Sequence, residues 1–270
     1  FKDLVFDEGP HKYYLNGKEI TCVSNVTHMF KPHFDTESMA QATYERNYNN
    51  EKSKYYKMTP EMIQEEWNKI SREACSHGTE RHEFAESIFY FMSNQFDKIL
   101  PAFTDRLSVD KETNEPIFIA NDPKEEAAVT FYEELPDSLF PILAETKVYN
   151  EKLGYSGTFD LLMYYDATID GKDDKNSGLC VMDWKTNKDL YKNFKEEKLL
   201  APFQDLLDMP LSIYKLQLSL YQICLEKIGL KTIARRIMWL LPNGTYDKIP
   251  LESYTKQLEE ELIKHPIVLN

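Results

Sequence analysis

Residues 181–188 read VMDWKTNK. The apolar run GLCVM leads straight into Asp183 and Lys185 with no turn residue between them. On a strand, residues i and i+2 share one face, so this carboxylate and this ammonium would leave the core side by side. Charge at the end of a buried strand needs a partner or a task. The pair is therefore either a strand-end ion pair or a place where a cation and an anionic substrate meet. Acid-x-Lys by itself carries little weight, since further triplets begin at 122, 145, 170, 173 and 196. The one at 183 is set apart by the apolar run before it.

Three other groups have residue types that suit the same chemistry. Asp160 lies in GYSGTFDLL, an apolar strand-like run one hairpin earlier. Neighbouring strands lie roughly 4.8 Å apart, so two carboxylates could converge on one divalent cation, and Mg²⁺ takes oxygen ligands. His82, in HGTERHEFAE, has Gly78 and Glu86 as its helical neighbours; it is either a structural histidine or an imidazole ligand, which suits Mn²⁺ better than Mg²⁺. Gln217 and Tyr221, in QLSLYQ, are four apart and share a helix face. A buried amide there would need partners.

The elements that must carry these groups follow from periodicity and turn chemistry. Residues 1–23 read as a small antiparallel element turning at Asn16-Gly17. Residues 24–58 read as helical with loops near Pro32, and Thr59-Pro60 opens a helix toward Cys75. HGT at 77–79 loosens that pattern, which resumes with Phe84, Ile88 and Phe91 on one face. Residues 101–121 read as a loop, and Asp122-Pro123-Lys124-Glu125 starts a capped helix to about Glu134. PILAETKVYN, GYSGTFDLLMYY and GLCVMDWKT read as strands, with polar DATIDGKDDKNS as an exposed loop. A helix from about Met209 to Ile228, the strand IARRIMWLL and a terminal helix over 251–264 complete an α/β chain with a mixed central sheet.

Bulk properties limit the function classes. The net charge of −13 argues against a protein that coats nucleic acid; it leaves room for an enzyme with a local basic track. KTNKDLYKNFKEEK, 185–198, holds five lysines and three acids and is the candidate track, with Tyr191 and Phe194 available for base stacking. Cys22, Cys75, Cys180 and Cys224 lie far apart without a CxxC and read as small buried hydrophobes. No apolar run approaches the roughly 18–20 residues of a membrane span, and no leader pattern opens the sequence. A cytoplasmic location with no membrane partner is expected.

His82, Asp160, Asp183-Trp184-Lys185 and Gln217-x-x-x-Tyr221, in this order and on these elements, resemble the PD-(D/E)XK nuclease superfamily in its RecB-like branch. The likeness runs from about residue 72 to 240, and the opening HKYYLNGKEITCVSNVTHMF looks like the entry segment of phage-encoded members. The resemblance implies a restriction-endonuclease-like core over 71–270, with an N-terminal hairpin and helical region, 1–70, packed on it. It implies a Mg²⁺- or Mn²⁺-dependent deoxyribonuclease, an exonuclease working from DNA ends, on DNA that is single-stranded or has free ends. Metal would be held by His82, Asp160, Asp183 and the Trp184 carbonyl. Asp160, Asp183 and Lys185 would be catalytic, with Glu145, Gln217, Tyr221 and Lys188 supporting the site or holding DNA. It further implies viral recombination or replication partners and the host cytoplasm as location. The members with a cysteine-ligated iron–sulfur cluster carry clustered C-terminal cysteines that are missing here, so no such cluster is expected. The same residues also fit a non-catalytic DNA-binding or protein-interaction module on this fold, or a metal-dependent phosphoesterase of small nucleotides.

Overall fold

The computed structural model describes residues 3–7, 9, 12–194 and 196–267. The chain divides into two compact units, one of residues 32–80 and one of residues 1–31 with 81–270. The smaller unit contains α2, Thr36–Asn47, capped by Asp35, whose carboxylate accepts the Ser38 N–H. It also contains the first part of α3, Pro60–Met92. Within it the Trp67 indole N–H donates to Tyr55 Oη at 2.9 Å. The expected break at HGT is absent: α3 runs through Gly78. One interior glycine costs a helix only about 1 kcal/mol, and the Thr79 hydroxyl bonds back to Cys75 O without disturbing the turn.

The larger unit is built on an eight-stranded mixed sheet flanked by helices. β1 (Leu4–Asp7), β2 (Lys12–Leu15) and β3 (Lys18–Cys22) form an antiparallel meander. Asn16 and Gly17 both have positive φ, 52° and 78°, as a tight two-residue hairpin requires. β3 then pairs in parallel with β7, Tyr155–Tyr165. That pairing makes the N-terminal hairpin part of the main sheet, so the units divide at 31/32 and 80/81 rather than after residue 70. β6 (Leu139–Asn150), β7 and β8 (Gly178–Lys185) are antiparallel, β9 (Thr232–Leu240) runs parallel to β8, and β10 (Tyr246–Pro250) closes the sheet.

Helices cover both faces. α1 (Val23–His28), α5 (Pro210–Lys227) and α6 (Thr255–Lys264) share one core cluster with Leu179 and Val181 of β8. The C-terminal part of α3 and α4 (Pro123–Glu133) share the other with Cys180, Met182 and Trp184. The alternation of β8 between two buried faces explains its uninterrupted apolar sequence. Asp122 caps α4 as expected, accepting the N–H groups of Lys124 and Glu125. No helix among the described residues is long and apolar enough to cross a membrane.

Four local expectations change. Residues 101–121 are not plain loop: a 3₁₀ turn, Pro101–Arg106, precedes a small hairpin of β4 (Leu107–Val109) and β5 (Pro116–Phe118). Their three-residue strands are too short to show a period. β10 was not foreseen because YDKIP is a polar strand with no clear alternation. The terminal helix starts at Thr255, since the chain at Leu251 is still tied to Arg235 O. Cys180 and Cys224 are buried, but Cys22 is half-buried and Cys75 exposed.

β7 has an interrupted edge. β6 occupies one side of it along its whole length. On the other side Tyr155 and Ser156 pair with β3, whereas Leu161–Tyr165 pair with β8. Residues 157–160 lie in the gap between these two partners. Gly157 fits there because a Cβ would come within 2.8 Å of Tyr221 Cε1 and 3.0 Å of Val23 Cγ2. Gly157→Ala is therefore expected to destabilise the protein by about 1–3 kcal/mol, the usual cost of overpacking, read as a lower urea midpoint. A midpoint equal to wild type would show that Tyr221 moves aside freely.

Candidate metal centre

The four residues expected to do chemistry meet at this gap. Leu161 pairs with Met182, so the next step along the two strands sets Asp160 against Asp183. There the ladder stops: the Trp184 N–H donates to Asp160 Oδ2 at 2.8 Å. His82 projects from α3, and its Nδ1 lies 3.0 Å from that same oxygen. One ligand atom each from His82, Asp160 and Asp183 can be chosen so that all lie within 4.8 Å of one another. Lys185 Nζ donates to Asp183 Oδ1 at 2.6 Å, and its ammonium stands 4.4 Å from the centre of the Tyr214 ring. The expected shared face of Asp183 and Lys185 is thus realised as a direct contact.

Burial gives these charges their properties. Asp183 is only 1% exposed. Burial, then the charge of Asp160, pushes its carboxyl up to about 7, against the opposing pull of Lys185. Burial acts the same way on Asp160, but His82 and the bonds it receives overcome that and hold Asp160 below the usual carboxylate range. Burial would discharge Lys185; Asp183 and Asp160 outweigh it and keep the ammonium firmly protonated. His82 follows the same pattern, with Asp160 raising it above an ordinary histidine despite burial.

Glu145 adds a third carboxyl. The flanking pairs Ala144–Leu161 and Thr146–Phe159 set it opposite Asp160 on β6. Burial, then Asp160 and Glu86, push it up to about 9, so it is protonated at neutral pH. It has a positive φ of 40°, a conformation that costs a non-glycine residue free energy and clusters at functional sites. The bend shows on β7 as well. Tyr155 and Phe159 face the α5-side core, yet so does Leu162, while Leu161 and Met163 face the other. The alternation slips by one residue across Asp160.

The remaining expected residues stand farther out. Tyr221 is buried; its hydroxyl accepts from Gln217 Nε2 at 3.3 Å, and it lies beneath the gap against Gly157. Gln217 itself is half-buried. Lys188 is exposed. Two residues that the sequence alone did not assign to the site belong to it: Tyr214, beneath the Lys185 ammonium, and Glu86, whose carboxyl is raised by burial while accepting from Tyr90 Oη at 2.9 Å. Glu86 lies one helical turn from His82, and Tyr214 is three residues before Gln217, so i, i+3/i+4 spacing was the available signal.

A divalent cation fits these residues. Asp183 Oδ2 is buried and receives no N–H from the described residues. It faces Asp160, with which it can bond only while one of the two carboxyls holds a proton. With both ionised it is left bare, a costly state for a carboxylate oxygen. It belongs to a set of one imidazole and two carboxylates placed so that they could hold one divalent cation. In an extended strand the N–H and C=O of one residue point the same way. The Trp184 carbonyl therefore faces the gap into which its N–H donates.

The raised carboxyl of Asp183 makes the metal-free protein sensitive to pH. Its native value of about 7 lies above the unfolded value, so the native state binds more protons and stability falls as pH rises between ~4 and ~7. Glu145, pushed up to about 9, acts in the same direction from ~4.5 to ~9 and His82 from ~6.5 upward, whereas Asp160 acts oppositely and only below ~4, so Asp183 carries one part of the slope. In chelator, wild-type Tm is expected to fall across the neutral range, and Asp183→Asn to flatten that slope and to exceed wild type at high pH. Parallel slopes for the two proteins would mean that Asp183 does not carry the effect. The chain matches no known family model, and comparison with curated proteins finds no match.

Proposed function

We propose that this chain is a metal-dependent deoxyribonuclease with a restriction-endonuclease-like core of the PD-(D/E)XK type, RecB-like branch, hydrolysing phosphodiester bonds from DNA ends. The observation that carries the reading is the orphaned Asp183 Oδ2 among His82, Asp160 and Asp183, with Lys185 on the other oxygen of the same carboxylate. His82, Asp160, Asp183 and the Trp184 carbonyl would hold Mg²⁺ or Mn²⁺. Bound there, the cation supplies Lewis acidity, lowering the pKa of a coordinated water and offsetting charge on phosphate oxygens.

The chain's own groups divide the remaining work. Lys185, kept charged by Asp183 and Asp160 in the metal-free centre, would present its ammonium to the phosphate and the attacking water. Tyr214 and Asp183 hold that ammonium in place from two sides. The Trp184 N–H fixes the Asp160 carboxylate. Glu145, raised by burial and by Asp160 in the metal-free centre, would be the carboxyl that can hold or release a proton as the cation's charge enters.

Labelled linear duplex, closed circular DNA and small nucleotides, each incubated with Mg²⁺, Mn²⁺ or chelator, test the reading. Linear DNA is expected to be degraded with either ion and spared in chelator, and closed circles to survive. Degradation that persists in excess chelator would sink the proposal, and turnover of nucleotides alone would make the protein a phosphoesterase. His82→Ala is expected to weaken Mn²⁺ binding by calorimetry and also to lower the metal-free Tm, because it leaves the Asp160 carboxylate without its imidazole; unchanged Mn²⁺ binding would make His82 a structural partner of Asp160 only. Lys185→Ala is expected to bind metal and DNA nearly as wild type, yet to slow single-turnover cleavage by roughly 10²-fold, the scale of one lost preorganised electrostatic partner. An unchanged rate would reduce Lys185 to an ion-pair partner.

A further inference from the structure

Residues 186–209 connect β8 to α5 and leave directly from Lys185. The start of this strap is anchored on three sides. Lys124 Nζ donates to Thr186 O at 2.6 Å, Tyr214 Oη to Asn187 Oδ1 at 2.9 Å, and Trp239 Nε1 to Asn187 O at 2.7 Å. Further on, Leu190 is buried and its carbonyl accepts from the Leu211 N–H, while the Asp189 carboxylate accepts the Tyr191 N–H at 2.8 Å. The backbone around Tyr191 is therefore held.

The Tyr191 side chain is nevertheless 54% exposed. Its ring stands edge-on to Trp239, with centroids 6.3 Å apart. Trp239 is the register partner of Lys185 on β9. An exposed aromatic ring on a held backbone thus stands against the β9 residue that pairs with the lysine of the candidate centre. Lys188 and Lys192, both exposed, flank it in a chain whose net charge is −13. A ring with adjacent ammonium groups matches unpaired nucleotides, whose bases stack on aromatic faces while lysines meet their phosphates. A duplex keeps its base faces stacked internally and cannot use the ring.

We infer that Tyr191, with Lys188 and Lys192, is a stacking site for an unpaired polynucleotide strand beside the candidate centre. This rests on the nuclease reading above for what happens to the strand, but not for its binding.

Fluorescence anisotropy with labelled oligothymidylate, oligouridylate and a duplex of equal length, all with phosphorothioate linkages, tests the site by binding alone. Tyr191→Leu is expected to weaken single-strand affinity about tenfold, Tyr191→Phe to retain it, and neither to alter duplex affinity. The Lys188→Ala, Lys192→Ala double variant is expected to lower the salt slope by up to about 1.4, at about 0.7 for each phosphate no longer neutralised. Weaker binding confined to either single strand supports the site. Unchanged affinity of Tyr191→Leu for both, or an equal weakening on the duplex, overturns it. Cleavage of unmodified DNA is measured in parallel. A Tyr191-dependent affinity in a protein that cleaves nothing would retain the stacking site and refute the nuclease; normal cleavage with unaltered Tyr191→Leu affinity would do the reverse.

Discussion

Two carboxylates set opposite each other at the end of a β-ladder repel, and burial magnifies the repulsion. The Asp160–Asp183 juxtaposition is the constraint to which the rest of the centre responds. The two acids are treated unequally. Asp160 receives an imidazole and a backbone N–H and stays ionised. Asp183 receives one ammonium, keeps one oxygen bare and is driven toward its neutral form. Glu145, added to the same field, is driven further still. The metal-free centre therefore stores its excess negative charge as bound protons, and any ligand that replaces them must bring positive charge.

The fold provides room for this by interrupting hydrogen bonding on one edge of one strand. β3 and β8 both lie on the same side of β7 but do not meet, and the four residues between them are Gly157 to Asp160. Gly157 lets the buried Tyr221 ring close the floor of the gap. The Asp160 carboxylate takes up the N–H that a continuing ladder would have satisfied. The break in the ladder and the placement of the ligand thus have one cause.

Much of this was legible from alternation alone. Asp183 and Lys185 share a face because strand parity requires it, and Asp160 lies near Asp183 because a hairpin joins their strands. His82 and Glu86 sit one turn apart because α3 is helical there. Tyr214 was harder to see, since its place depends on which way α5 crosses Lys185, a tertiary fact. The gap in β7 was invisible, because it arises when residues 21 and 22 join the sheet from more than a hundred positions away. Glu145 gave no local sign either: neither Gly nor Asn marks its positive φ, which the surrounding pairs impose. The interactions that escaped notice are those made between segments distant in sequence.

β6 has one ladder partner among the described residues, so its outer edge offers unpaired N–H and C=O groups beside the exposed side chains of Phe140, Ile142 and Leu143. A long, flat, apolar edge of that kind is a template for self-association. Pro141 removes a donor from it, the register shifts between Pro141 and Leu143, and the backbone turns again at Glu145. These irregularities shorten the straight apolar run of that edge that a strand from a second copy could join. The kink that brings Glu145 opposite Asp160 also belongs to the set of irregularities that guard the chain against aggregation, so straightening β6 to relieve the strain would be expected to trade the carboxyl beside Asp160 for a more adhesive edge.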